Sequence, residues 1–324
     1  MKSKLTKALA VCLALAGPML AAPAQAAVCD YIGFDKPCEV YGGSYRVLVP
    51  EGDGPFPVLM YLYGSGGHSI SITDHPIFQE TVVARGYALV VPEARDIVYY
   101  GYLRDTGWAL RSDREPVRDE FAFLGRVVEN VAQRFPIDRN RILIAGQSRG
   151  GFLTWEIACH KPDLGAAFAV HAAGYLGRLP ERCARPVRLL HSHGLADTVV
   201  PLGSQPVFSG GNPLPALAET LDMMARSNGC RDSDPSEDRA FYEFARRSWA
   251  DCSPGGGLDL MLHTGGHIMP PIWFRAVLDW FEEGPVTEFA SKPATRVLGT
   301  ERPAGLFKSV PARSGFSKPA PPTE

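Results

Sequence analysis

Five consecutive residues, Gly146-Gln147-Ser148-Arg149-Gly150, set a serine between two glycines. In a chain with 33 glycines the pattern alone is weak, and its surroundings carry the weight. The apolar run Arg141–Ala145 reads as a strand ending at the first glycine, and Gly151–Cys159 reads as a helix starting after the second. A sharp strand-to-helix turn of this kind lifts a serine hydroxyl above a sheet, and the glycines remove side chains where backbones crowd. The same turn sets the amide of Arg149 at a helix start, where backbone N–H groups can hold a developing oxyanion. The alternative is a Gly-rich turn with an ordinary serine.

Such a hydroxyl attacks a carbonyl only with a base beside it and an acid that orients the base. Asp197 follows the apolar run Val187–His191, and His267 follows the run Leu258–Leu262 and the pair Gly265-Gly266. Serine, acid and histidine thus occur in the chain order that this kind of turn requires. His263 reads as still inside the strand. Asp197 as a surface turn residue and His267 as a structural histidine are the blander readings. A second oxyanion donor is expected after the run Val58–Tyr63, on the loop Gly64-Ser65-Gly66-Gly67, with the backbone N–H of Ser65 as candidate. His68 reads as a pocket-edge or surface histidine.

Positioning these groups requires a sheet with its strand ends on one side. The strand candidates are Tyr45–Val49, Val58–Tyr63, Ala88–Val91, Arg141–Ala145, Ala167–Val170, Val187–His191 and Leu258–Leu262. Most are continuous apolar runs, as strands buried on both faces are. They alternate with helix-like segments, which predicts a mostly parallel α/β sheet with helices on both faces. Val117–Phe135 is the best helix, with Phe121, Leu124, Val128, Val131 and Phe135 forming one stripe and Pro136 stopping it. A last helix is expected from about Pro271 to Glu283. Pro201–Gly257 breaks the rhythm, being far longer than an ordinary connection. It is expected to lie beside the reactive serine as part of a pocket wall.

Lys2, Lys4 and Lys7 precede an apolar run from Ala8 to about Ala22 and the small-residue pattern Ala24-Gln25-Ala26. This reads as a signal peptide over 1–26, too short for a permanent membrane span, and predicts a periplasmic or secreted chain. Residues 27–283 are enough for one large α/β domain. Residues 284–324 carry seven prolines and little apolar periodicity, and read as a disordered or loosely attached tail. The formal charge of −2 leaves no basic footprint for nucleic acid, and no stable membrane anchor is indicated. Cys29, Cys38, Cys159, Cys183, Cys230 and Cys252 remain after the signal. An even count in an oxidising compartment predicts disulfides among 15 possible pairings, of which proximity favours 29–38, 159–183 and 230–252. The third would staple the long excursion. No C-x-x-C is present, so no metal or cofactor is expected.

Several motifs together resemble the exported esterases grouped as the polyhydroxybutyrate depolymerase and feruloyl or acetylxylan esterase-like family of α/β-hydrolases. They are the Leu62-Tyr63-Gly64 loop, Asp119-Glu120-Phe121, Phe135-Pro136-Ile137-Asp138, Gly146–Gly151, Pro162-Asp163, His193-Gly194 with Asp197, Asn228-Gly229-Cys230, and Gly265-Gly266-His267 with Pro270. The resemblance covers most of Tyr45–Phe281 and implies metal-free ester hydrolysis by Ser148, Asp197 and His267. Three departures stand out. Tyr63 replaces a histidine that helps order the oxyanion loop in the family, Met269 replaces a tryptophan, and Arg149 is a bulky cation expected at the mouth of the site. The substrate implied is a soluble small-molecule ester. A serine peptidase on the same fold and a catalytically dead binding protein are the rivals. The peptidase reading lacks an acidic pair near the site, and the dead relative would have lost one of the three residues.

Overall fold

The computed structural model describes Cys29 and residues 36–99, 103–113, 116–206, 208, 211–231, 235 and 237–284. The expected signal peptide, and all of the expected tail except Gly284, lie outside the described residues. In chain order the elements are β1 (Cys38–Val40), β2 (Gly43–Leu48), β3 (Phe56–Leu62), α1 (Ser69–Thr73), α2 (Pro76–Thr81), β4 (Ala88–Pro92), β5 (Arg95–Tyr99), β6 (Leu103–Gly107), α3 (Glu120–Arg134), β7 (Ile137–Gln147), α4 (Arg149–His160), β8 (Ala167–His171), β9 (Arg188–Gly194), α5 (Leu217–Ser227), β10 (Glu237–Phe241), β11 (Phe244–Trp249), β12 (Gly257–His263) and α6 (Trp273–Glu282).

Among the described residues ten strands form one sheet in the order β1-β2-β4-β3-β7-β8-β9-β12-β11-β10. From β4 to β12 the pairing is parallel throughout, and antiparallel strands finish both edges. All seven expected strands are present, and β8 and β4 are buried along their whole length. The chain leaves β3 for β4 on one side and later returns to place β7 on the other. The carboxyl ends of β3 and β7 therefore flank a topological switch point, where sheets of this kind leave a crevice.

The helices follow from capping and burial. Asp119 caps α3 by accepting the Ala122 N–H at 3.0 Å, so the helix starts at Glu120 rather than Val117. Its buried face is Phe123, Leu124, Val127, Val128 and Val131, and Phe121 is only half-buried. Phe135 is extended, as a residue before proline must be. In α4 every residue from Arg149 to Cys159 is buried, so this helix is the central pillar behind the serine. Trp273 and Trp280 of α6 are likewise fully enclosed.

The excursion 201–257 divides into two halves, and the second corrects the expectation that the excursion lies beside the reactive serine as part of a pocket wall. Its first half packs against the segment after β8 and the first turn of α4: Gln205 bridges Leu214, the Gly177 N–H bonds Pro213 O at 2.8 Å, and the Phe208 and Phe152 ring centroids lie 6.2 Å apart. Its second half, β10 and β11, extends the sheet beyond β12. The disulfides pair Cys29 with Cys38, Cys159 with Cys183, and Cys230 with Cys252. The last sits near Asn228, whose side chain bonds the backbone of Val187 and Gly257 at the amino ends of β9 and β12. Asp197 and His267 lie past the carboxyl ends of those strands, and a seven-residue strand spans about 20 Å. Cys230–Cys252 is therefore at the far end of the sheet, not on the pocket wall.

Candidate active site

Ser148 stands between β7 and α4 with φ 51° and ψ −121°, a strained conformation that its neighbours hold in place. Its N–H donates to His171 O at 3.0 Å, and its carbonyl accepts from Phe152 at 2.9 Å as the first bond of α4. The turn requires glycine at 150, because a Cβ there would lie 2.0 Å from Leu62 O. The loop after β3 packs directly on the serine: a Cβ on Gly64 would stand 3.3 Å from that of Ser148.

That loop is braced from two sides. The Gly66 N–H reaches Thr106 O at 2.9 Å, and Thr106 Oγ1 donates to Gly67 O at 2.7 Å. From below, Tyr63 packs under Gly67, where a Cβ would fall 2.6 Å from its ring. Its phenol accepts the Ala94 N–H at 2.8 Å and donates to Glu93 Oε1 at 3.0 Å, while burial pushes its pKa far up and keeps it a donor. The Glu93 carboxylate also takes His68 Nδ1 at 3.2 Å, the Ser69 N–H at 3.0 Å and the Ser69 hydroxyl. His68 is thus an exposed brace at the loop edge, and Ser65 is the exposed tip.

Arg149 corrects one expectation. Its side chain is buried rather than at the mouth, with Nε on Trp108 O at 2.8 Å and Nη2 on Asp113 Oδ2 at 2.6 Å. The indole of Trp108 in turn donates to Tyr63 O at 2.8 Å. The guanidinium thus links the helix behind the serine to the strand behind the glycine loop. Met269 is half-buried against the core.

His267 and Asp197 meet across two touching loops. His267 Nδ1 lies 2.9 Å from Asp197 Oδ2, and the imidazole keeps a fifth of its surface exposed. Asp197 Oδ1 accepts the N–H groups of Val199 and Val200, each at 2.9 Å. The loops are joined by Leu195 N–H to His263 O at 2.8 Å and Ala196 N–H to Gly265 O at 2.9 Å. This contact requires Gly194, where a Cβ would fall 2.2 Å from Gly266 O. Gln147, beside the serine, donates to His267 O at 3.4 Å and ties the histidine loop to the elbow. His263 does end β12, and its Nδ1 accepts the Gly265 N–H at 3.1 Å. It props the loop that carries His267.

Glu93, Thr106 and Trp108 are the site residues that the sequence reading missed. They act through contacts 24 to 45 residues away along the chain, which no local pattern signals.

No family model matches the chain. It is 26% identical over 245 residues to NocK of Nocardia uniformis subsp. tsuyamanensis, named as an esterase by inference, covering 68% of this chain and 67% of that one. It is 23% identical over 243 residues to feruloyl esterase C of Emericella nidulans, covering 72% and 79%. An acetyl xylan esterase from Aspergillus awamori superposes with a TM-score of 0.52 at 16% identity, over 74% of this chain and 94% of that one. A carboxylesterase from Mesorhizobium loti superposes with a TM-score of 0.51 at 18% identity, over 77% and 99%. The α/β-hydrolase fold is thereby shown, and the resemblance to feruloyl and acetylxylan esterases holds at the level of sequence relatives and fold neighbours.

Proposed function

We propose that the protein is an exported serine esterase acting on soluble small carboxylic esters. His267 takes the proton from Ser148 Oγ as that oxygen bonds the ester carbonyl carbon. The backbone N–H groups of Ser65 and Arg149 hold the tetrahedral oxyanion, each worth about 3 kcal/mol at the transition state. Asp197 orients the imidazole and stabilises its charged form. The alcohol leaves with the proton from His267, and water then releases the acid by the same route. The observation that carries the reading is the His267–Asp197 pair at 2.9 Å, tethered through Gln147 to a strained serine at a helix start.

Leu195, Val199 and Ile268, on the loops that bear the pair, are 47%, 57% and 84% exposed. An apolar rim of this kind suits an alkyl or aryl portion of the ester. Export is supported by the basic-apolar-small amino terminus and by three disulfides.

The test is a screen of purified protein against short p-nitrophenyl esters, feruloyl esters and hydroxybutyrate oligomers, with a suspended polyhydroxybutyrate film at equal enzyme concentration. Turnover of soluble esters is expected, with Ser148→Ala lowering it by about 10³-fold or more and leaving the melting curve unchanged. More than a few per cent residual rate in that variant would point to another nucleophile, and efficient film clearing would overturn the small-ester reading.

A further inference from the structure

Strand periodicity puts His191 and His193 on the same face of β9, with Ser192 on the other, where it bonds Val170 O and the Trp273 indole. The two imidazoles stack with centroids 5.3 Å apart and planes 24° from parallel. Both are buried, and neither is needed to write the acyl-transfer steps. Their nitrogens nevertheless form a continuous line from α4 to the acid. Trp155 Nε1 lies 3.2 Å from His191 Nδ1. His191 Nε2 lies 3.0 Å from His193 Nδ1. His193 Nε2 lies 2.8 Å from Val200 O and 3.3 Å from Asp197 Oδ2, the oxygen that also receives His267.

We propose that Trp155, His191 and His193 form a tautomer relay that positions Asp197, with His193 supplying its second imidazole N–H. The inference rests on the reading of Asp197 as the acid of the triad. Each step is forced by donor chemistry. An indole N–H can only donate, so His191 Nδ1 must carry a lone pair. A neutral His191 then has its proton on Nε2 and donates to His193 Nδ1. His193 in turn carries its proton on Nε2, which faces a carbonyl and a carboxylate, both acceptors. With the opposite tautomer, an imidazole lone pair would face Asp197 and the carboxylate would swing away from His267. Burial lowers the pKa of both imidazoles, that of His191 well below its ordinary value, and keeps the relay neutral. Asp197 is thereby held by two backbone N–H groups on Oδ1 and two imidazole N–H groups on Oδ2.

The charged and titratable neighbours do not compete for this arrangement. His171 at the end of β8 is held neutral by burial with its pKa lowered to about 3. His263 at the end of β12 is lowered in the same direction by burial, against the nearby carboxylates of Glu243 and Asp197. Val200, the other acceptor of His193, is an uncharged backbone group.

Two measurements test the relay. In protein labelled with ¹⁵N-histidine, two-bond and three-bond ¹H–¹⁵N correlations identify the tautomer of each of the eight histidines, assigned by single substitutions. His191 and His193 are expected as neutral Nε2–H forms at pH 7, and Trp155→Phe should give mixed tautomers at both. A protonated or Nδ1–H His193 in the unaltered protein overturns the proposal whether or not any ester is turned over. The second measurement compares His193→Gln, whose amide nitrogen reaches the place of Nε2, with His193→Asn, whose side chain reaches only the place of Nδ1. Asn should lower kcat about tenfold at unchanged KM. It should also move the acid limb of the kcat/KM profile upward, because an Asp197 with one donor fewer holds the imidazolium of His267 more strongly. Gln should keep the limb of the unaltered protein. Equal losses in both variants with no movement of the limb would reduce His193 to a packing residue. Absence of any esterase activity, with the tautomers as expected, would instead defeat the reading of the site and leave the relay standing.

Discussion

Asp197 and Asp259 are buried carboxylates on the same sheet, one just past the carboxyl end of β9 and the other near the amino end of β12. Asp259 accepts from Arg246 Nε at 2.8 Å, Ser248 Oγ at 2.5 Å and the Trp280 indole at 2.8 Å, and Arg246 continues to Glu283 at 2.6 Å. Asp197 has four donors against three, but among the described residues none of them belongs to an arginine or lysine. Both are buried and both are well supplied with hydrogen bonds. The permanence of the countercharge distinguishes them. Asp259 is matched by a cation that is always present and so serves as mortar between β11, β12 and α6. Asp197 is surrounded by neutral donors, which on the proposed mechanism leaves its charge for an imidazolium that exists only during reaction.

The sharpest way to break this comparison is to neutralise each acid. Asp197→Asn should lower kcat/KM by about 10³-fold or more, the scale of triad substitutions, with little change in melting temperature. Asp259→Asn should do the opposite. It leaves a buried guanidinium with only Glu283, at a cost of about 3 kcal/mol or more of stability, while the folded fraction turns over at the normal rate. Kinetics and thermal melts on the same two preparations check both. If Asp259→Asn lost turnover at unchanged stability, permanence of the countercharge would be the wrong criterion.

A third carboxylate sharpens the contrast because a backbone N–H is its one hydrogen-bond donor among the described residues. Glu156 on α4 is buried beside Leu110, Phe121 and Leu153, and both its oxygens take the single Arg111 N–H at 3.1 Å. Burial pushes its pKa up to about 7, and the Arg111 N–H only partly offsets this. The folded state therefore holds a proton that the unfolded chain has lost, and stability from this group falls as pH rises from about 4.5 to about 7, by up to about 3 kcal/mol. Glu156→Gln should flatten that slope and stabilise the protein most above pH 7. Parallel slopes for the two proteins in thermal melts between pH 4.5 and 8 would show that Glu156 does not take up a proton on folding.

The parallel core was legible in the sequence because its signals are local, and so were the candidates for the proposed triad. Each strand is a short apolar run, and Ser148, Asp197 and His267 each follow one. Three features were hidden because their causes are distant in the chain. Arg149 was expected at the mouth since a cation suggests solvent, but its acceptors, Trp108 O and Asp113, lie 41 and 36 residues earlier. Strands β10 and β11 carry Arg239, Arg246 and Arg247, which masks them as strands until Asp259 answers Arg246 from the neighbouring strand. The β5–β6 pair bonds to itself rather than to the main sheet, so it lacks the apolar run that marked the others. Yet it supplies Thr106, which braces the glycine loop.

The smallest effect on turnover is expected at the disulfide that staples the long excursion. Cys230 and Cys252 close a 22-residue span, and removing that constraint costs about 3 kcal/mol on the chain-entropy account. The bond lies by Asn228, whose side chain clamps Val187 and Gly257, so its loss loosens the amino ends of β9 and β12. The loops bearing Asp197 and His267 are fixed at the other ends of those strands by their own contacts, Leu195 to His263 and Ala196 to Gly265. A rigid parallel sheet lies between the two. The double variant Cys230→Ala/Cys252→Ala should therefore melt earlier and keep its kcat and KM at temperatures where it is folded. The same assay under selective reduction of this bond should agree. A several-fold fall in kcat without loss of folded protein would mean that the two ends of the sheet are coupled, and the separation of structural and reactive acids would then fail at its foundation.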